Sequence, residues 1–244
     1  MSHRLTAVVV GVLFALSLRA SELFTNGGFE TGDLTGWTVT STPDSGDYFF
    51  ADDTTITPDN GYPTVGPYSG SWYAVNDSTY LGVFPESTAL TQTVTIPVGT
   101  TDVMFSADIF VNDVYGSLYG SSGLGGEIAI WANGANPLTA TPLFVLYGPT
   151  DTFQSDPGTP NAYVPVSMDI TADVIAGTAY EFGVLESDST GPIDVGVDNF
   201  SLAATSVPEP AMLLPAGLLA LGMLIFRARR RDRTTEGFER RSLV

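Results

Sequence analysis

Val103-Met-Phe-Ser-Ala-Asp-Ile-Phe-Val111 decides the fold. It is a short run of apolar, β-branched and aromatic residues. The turn residues Pro97-Val-Gly99 precede it, and a Gly-, Ser- and Tyr-rich stretch follows. Such a run between turn signals reads as a strand. Moving outward, shorter runs of the same kind recur. On the C-terminal side they lie at 127–132, 143–147, 164–170, 179–185 and 193–202, and on the N-terminal side at 37–41, 47–51, 71–76 and 94–96. The chain between them is rich in Thr, Val, Tyr, Phe and Gly, with no long helical pattern. About ten strands with turn punctuation predict an all-β fold, a two-sheet β-sandwich of the jelly-roll kind. Long-range pairing is expected to bring the first and last strands side by side. Two loops stand out, 52–69 (Pro, Gly, Asp, Thr) and 112–126 (Gly, Ser, Tyr). Loops carried on a rigid sandwich are where binding sits, although they also serve as plain connections.

The charge pattern is one-sided. The formal net charge of the 244 residues is -18, and all the basic residues are arginines, at Arg4, Arg19 and from Arg227 onward. Residues 22–206 therefore contain no basic side chain. Phosphate recognition needs Lys or Arg, so nucleic acid is excluded as a partner. No side-chain salt bridge can form within 22–206. Its carboxylates must be solvated, hydrogen-bonded to backbone, or neutralised by metal ions, and bound cations would relieve the self-repulsion. The chain has no Cys, and its only His is His3. Disulfides, thiol catalysis, a Ser-His-Asp triad and the usual zinc ligands are thus missing from the domain. The lack of Lys removes Schiff-base chemistry.

The two ends carry export signals. Arg4 precedes an uncharged apolar run from Leu5 to Leu18, followed by small residues at Ala15, Ser17, Ala20 and Ser21. This is the order of a secretory signal peptide, assigned to residues 1–20, with cleavage after Ser17 or after Ala20. The competing reading is an uncleaved anchor. At the other end, 211–226 is an uncharged apolar block. As a helix it would be roughly 24 Å long, a little short of a hydrocarbon core of about 30 Å. Arg227, Arg229, Arg230, Arg231 and Arg233 follow at once and act as a membrane stop signal that keeps the tail cytoplasmic. Val207-Pro208-Glu209-Pro210 stands just before the block. Its prolines remove donors and fix φ, so the strip stays extended beside the membrane.

A Val-Pro-Glu-Pro motif, a short apolar helix and an arginine cluster together resemble the PEP-CTERM sorting signal of exported Gram-negative proteins, over residues 207–233. The resemblance implies that a membrane-embedded cysteine protease, the exosortase, recognises the motif, and that this chain is its substrate. In most members the chain ends soon after the arginines. Here Asp232 to Val244 continues with mixed charges, and residues 234–244 read as a cytoplasmic tail.

A second resemblance spans nearly all of 22–206. The domain opens Leu23-Phe-Thr-Asn-Gly-Gly-Phe-Glu-Thr-Gly-Asp-Leu-Thr-Gly-Trp37 and closes Val195-Gly-Val-Asp-Asn-Phe-Ser-Leu202. Ser69-Gly-Ser-Trp-Tyr-Ala and Leu90-Thr-Gln-Thr-Val-Thr-Ile-Pro-Val-Gly lie between. These resemble the galactose-binding-like jelly rolls, which include many carbohydrate-binding modules. The resemblance implies a structural calcium ion bridging Glu30 and Asp198, with Asn26 and backbone carbonyls. Calcium takes six to eight hard oxygen ligands, which suits a domain of surplus carboxylates. The alternative is that Glu30 caps a turn and Asp198 bonds backbone amides. Sugar binding would need aromatic faces. Trp72, Tyr115 and Tyr119 are the leading candidates, with Tyr62 and Trp131 beside them. Trp37, Trp72 and Trp131 sit within strand-like runs, where a core role competes.

The expected function is that of a non-catalytic exported cell-surface or extracellular-matrix protein that binds polysaccharide. It would be sorted by an exosortase-type system and anchored in the inner membrane with its domain outside the cytoplasm, then displayed or secreted. The partners implied are the exosortase, exopolysaccharide and the membrane. The alternatives are a purely structural or adhesive envelope protein, and a glycoside hydrolase working with two carboxylates alone. Asn76-Asp-Ser78 is an acceptor-type sequon.

Overall fold

The computed structural model describes residues 19–43, 46–78, 85–113, 125–148, 159–188 and 193–206. Residues 19–206 form one compact unit. Its strands are β1 (Arg19–Glu22), β2 (Thr38–Ser41), β3 (Asp47–Asp52), β4 (Tyr73–Ser78), β5 (Glu86–Thr95), β6 (Thr100–Asp113), β7 (Gly125–Ala132), β8 (Phe144–Tyr147), β9 (Val164–Asp169), β10 (Ala179–Asp188) and β11 (Ile193–Ser206). They build two sheets. The first runs β3-β4-β11-β6-β9 with β1 also on β11, and the second runs β2-β5-β10-β7-β8. Every pairing is antiparallel, and the chain crosses repeatedly between the sheets.

This is the all-β sandwich expected from the sequence, with eleven strands among the described residues rather than about ten. The last strand pairs with β1, Arg19 opposite Ser206 and Glu22 opposite Ala203, whereas the first strand read from the sequence, 37–41, is β2 and pairs with β5 in the other sheet. Two stretches went unread. Most of β5 is Glu86-Ser-Thr-Ala-Leu-Thr-Gln-Thr, too polar to stand out as a strand. β1 takes in Arg19 and Ala20, which fall inside the 1–20 segment, so the compact unit begins at Arg19 rather than at Glu22.

β11 organises the first sheet because its residues alternate. Ile193, Val195 and Val197 turn inward to the core, while Asp194, Gly196 and Asp198 take the outward positions. Inside, an aromatic cluster closes the sandwich. Trp37 stacks on Phe24 with ring centres 5.5 Å apart, and lies 5.4 Å from Phe29 and 5.0 Å from Phe200. Each such buried ring contributes about 1.5–3 kcal/mol relative to exposure. A second, smaller cluster of Tyr73, Val75 and Phe110 lies on the outward face of the first sheet, with Val65 and Tyr163 packed on it. Gly196 is needed here, since a Cβ at that position would sit 2.0 Å from the Phe110 ring. The loop 53–69 covers this cluster and is itself ordered. Ile56 bridges Pro63, Thr64 hydrogen-bonds the Tyr73 hydroxyl at 2.7 Å, and the Tyr163 hydroxyl donates to the Gly66 carbonyl at 2.9 Å.

Candidate functional site

The pairing of β11 with β6 slips by one residue between Asp198 and Ser201. Asn199 takes up the extra residue with a left-handed φ of 54°, a conformation that Asn tolerates better than most residues. The bulge lets Phe200 reach the core while Asp198 keeps the outward position that alternation gives it. Asn199 ties to neighbours on either side. Its Nδ2 donates to Asp108 at 3.0 Å, and its Oδ1 accepts from the Ser69 hydroxyl at 2.7 Å.

Asp198 has no exposed surface. Its Oδ2 accepts the backbone amides of Tyr68 and Ser69, each at 3.0 Å, and its Oδ1 accepts the Asn199 amide at 2.6 Å. Glu30 reaches the other end of the same loop. Its Oε1 accepts the amides of Ser71 at 3.0 Å and Trp72 at 3.2 Å, and its Oε2 accepts Ser71 at 3.1 Å. Two carboxylates from opposite ends of the domain thus clamp residues 68–72 by their amides. Between the two contacts stands Gly70 at φ +66°, where a Cβ would lie 2.1 Å from Glu30 Oε1. Burial lifts the Asp198 carboxyl to about 6, the charge of Glu30 adds to the lift, and the Ser69, Asn199 and Tyr68 amides pull the other way.

Glu30 and Asp198 are therefore brought together, and Asn26 is not brought to them. Its Nδ2 donates to the Asp33 carbonyl at 2.9 Å, and its Oδ1 accepts the Thr31 amide at 3.3 Å. The Asn26 carbonyl takes the Trp37 indole N–H at 3.1 Å, so Asn26 organises its own turn under the core tryptophan. A hard cation between the two acids would share their oxygens with the amides that already donate to them. A Cβ placed on Gly28 would lie 3.8 Å from Glu30 Cγ, 3.9 Å from Asp198 Oδ1 and 4.0 Å from Asn199 Oδ1, at ordinary packing distance from both acids. Calcium there would be held by Glu30 and Asp198 and would neutralise their charges. Among the described residues, no three Asp or Glu side chains converge as a metal cage.

The clamped loop displays aromatic rings. Tyr68 is 55% exposed and meets Tyr163 edge-on at 5.3 Å. Trp72 is half-buried, with its indole against Gly32 and the core. Trp37 and Trp131 are buried, and Tyr62 is half-buried. Tyr115 and Tyr119 lie outside the described residues, as do Val207, Pro208, Glu209, Pro210, Arg227, Arg229, Arg230 and Arg231. Among the described residues, no helix is long and apolar enough to cross a membrane. Tyr68 and Asn199 escaped the sequence reading. An Asp-Asn pair breaking the alternation of the last strand was the available signal for Asn199. Tyr68 stood in an unpatterned loop.

No family model matches the chain, and no curated protein matches it. Solved structures do. TmCBM61, solved in complex with beta-1,4-galactotriose, is 13% identical with a TM-score of 0.45, over 75% of this chain and 98% of that one. The K3 cleaved adhesin domain of Lys-gingipain from Porphyromonas gingivalis W83 is 16% identical with a TM-score of 0.47, over 77% and 99%. The apo form of a cyclase from Fischerella sp. is 16% identical with a TM-score of 0.45, over 78% and 98%. None of the three reaches a TM-score of 0.5, so the function is read from this chain's own residues.

Proposed function

We propose that this chain is a non-catalytic exported surface or matrix protein whose jelly roll binds polysaccharide beside the clamped loop 68–72. The observation that carries this reading is the clamp. Glu30 and Asp198 fix the loop through its backbone, leaving Tyr68 exposed and Trp72 at its far end. A ring held on a rigid loop can lie on a sugar face at little entropic cost. A calcium ion shared by Glu30 and Asp198 would stiffen the loop further. The one-signed composition supports a binding role, since residues 22–206 offer no His, Cys, Lys or Arg for catalysis.

Export and sorting complete the proposal. The 1–20 segment directs secretion, and 211–226 with its arginines holds the chain in the inner membrane. An exosortase-type protease then reads Val207–Pro210 before surface display or release. Cleavage after Ser17 would leave β1 whole, whereas cleavage after Ala20 would remove two of its four residues, Arg19 and Ala20.

Affinity electrophoresis of the full chain in detergent, through gels carrying different exopolysaccharides, tests the binding. At least one polysaccharide should retard the protein, and Tyr68→Ala should weaken that retardation about tenfold, the scale of one lost aromatic contact. Migration that ignores every polysaccharide, or retardation indifferent to both Tyr68→Ala and Trp72→Ala, would overturn it in favour of a purely structural envelope protein.

A further inference from the structure

Four residues before Asp198, the same strand carries Asp194, and the clamp does not use it. Asp194 has no exposed surface, and among the described residues neither of its carboxylate oxygens has a hydrogen-bond partner. The pairing of Gly196 with Val75 and Val197 with Ala74, carried two residues further, sets Asp194 level with Asp77 of β4. Both take outward positions, under the loop 53–69. Asp77 is also fully buried. Its Oδ2 accepts the amides of Asp59 at 2.5 Å and Asn60 at 3.0 Å, and its Oδ1 accepts Asn60 Nδ2 at 2.7 Å.

Two polar neighbours on the same face are engaged. Asn112, the partner of Asp194 across β6, donates to the Pro63 carbonyl at 3.4 Å and accepts the Asn161 amide at 2.8 Å. The Tyr73 hydroxyl is shared by Thr64 and Asp52. Asp194 alone of this group is left over. What faces it is negative: burial first, then the charges of Asp77 and Asp47, push its carboxyl well above the ordinary range.

Burying an ion costs several kcal/mol even after the protein relaxes, and a partner must offset that. Among the described residues no side chain does. The sequence has no Lys and no His after His3, and between Arg4 and Arg227 its only Arg is Arg19. Arg19 pairs with Ser206 at the opposite end of β11, about 40 Å away along the strand. Only a proton or a metal ion is left to neutralise the pair. Burial raises the Asp77 carboxyl as well, against the pull of its three amide donors, so without a cation both buried acids are driven toward their protonated forms.

We propose that Asp77 and Asp194 hold one hard divalent cation, calcium, between β4, β11 and the loop 59–63. No third carboxylate among the described residues converges with them, so carbonyl oxygens and water complete the shell. Calcium accepts such a mixed, irregular set of oxygens. Magnesium demands a near-ideal octahedron, and zinc prefers nitrogen or sulfur ligands. The ion ties the loop 59–63 to the sheet and so braces the arm that leads to Tyr68. This site is separate from the pair Glu30–Asp198 and does not depend on it.

Calcium titration of the full, chelator-stripped chain in detergent, by calorimetry, tests the site, with terbium luminescence as a second readout through Tyr73, whose ring lies on the same face of β4 as Asp77. Asp194→Asn should remove one equivalent of calcium or weaken it at least about tenfold, since affinity follows ligand charge. It should also quench the tyrosine-sensitised terbium signal. Asp77→Asn should act in the same direction, and Glu30→Gln should leave this equivalent in place. A chelator-stripped Asp194→Asn protein that melts no lower than wild type establishes that the variant folds. Calcium and terbium binding unchanged by both Asp194→Asn and Asp77→Asn would overturn the proposal. Loss of calcium in Glu30→Gln alone would support the clamp ion and refute this one.

Discussion

Asp194 and Asp198 share a strand and an outward face, and neither has exposed surface, yet their surroundings differ completely. Both oxygens of Asp198 accept backbone amides: Oδ1 that of Asn199, and Oδ2 those of Tyr68 and Ser69, in a loop that Glu30 grips from its other end. Asp194 meets no donor, only other acids. The cause lies in the local pairing of the strand around each of them. The bulge at Asn199 turns the chain so that residues 68–69 can bring their N–H groups to Asp198, while the regular pairing around Gly196 and Val197 brings Asp194 up to Asp77. Burial alone therefore does not assign a role to a carboxylate. The donors that reach it do, and a buried acid without donors calls for a counter-ion.

The clamp half of this contrast breaks most severely at Gly70. Gly70→Ala adds a Cβ where φ is +66° and where Glu30 Oε1 lies 2.1 Å away. Backbone strain and loss of the Glu30 contacts should together destabilise the protein by about 3 kcal/mol. Urea unfolding of the full chain in detergent, with chelator present, measures it. An unchanged midpoint would mean that Glu30 does not grip the loop. Asp198→Asn comes next. Whichever way the amide turns, its NH2 must face a backbone N–H, because both Asp198 oxygens are acceptors of such groups. The buried donor left without an acceptor should cost about 2 kcal/mol in the same assay.

The legibility of the molecule in its sequence follows the same division. Strands that alternate apolar residues between turns, such as β6, β7 and β10, could be read directly, and with them the two-sheet class. That Glu30 and Asp198 lie close came only from the resemblance of the opening and closing motifs to a known family, not from the pattern of the residues themselves. β5 was not readable in full, since Ser, Thr and Gln occupy the positions where an apolar alternation would show. β1 is set by backbone pairing to β11, not by its own hydrophobicity. Asp194 and Asp77 were invisible as a pair. Each sits in an ordinary strand, and only the sheet order, which places β4 beside β11, brings them together. Tyr68 had no pattern around it, because its exposure depends on amide contacts made by residues far away in the chain.

Two smaller effects sharpen the contrast. The Asp198 carboxyl is held near about 6 in the folded protein against an ordinary 3.8, so the folded state binds its proton more tightly than the unfolded one. Stability from this group is fully present below the ordinary value and is lost as the pH rises through the folded one. The metal-free melting temperature should thus fall by a few degrees across that window, with the upward shifts of Asp77 and Asp194 acting in the same direction. Calcium should cancel the fall at neutral pH, and scanning calorimetry with and without chelator reads both. The smallest effect has the most informative sign. Asp194→Asn removes a buried charge and meets no amide donor, so in chelator at neutral pH it should stabilise the protein by about 1 kcal/mol, where Asp198→Asn destabilises it. With calcium restored, wild type should overtake the variant. If both substitutions lower metal-free stability alike, Asp194 has donors after all, and the contrast between the two acids fails.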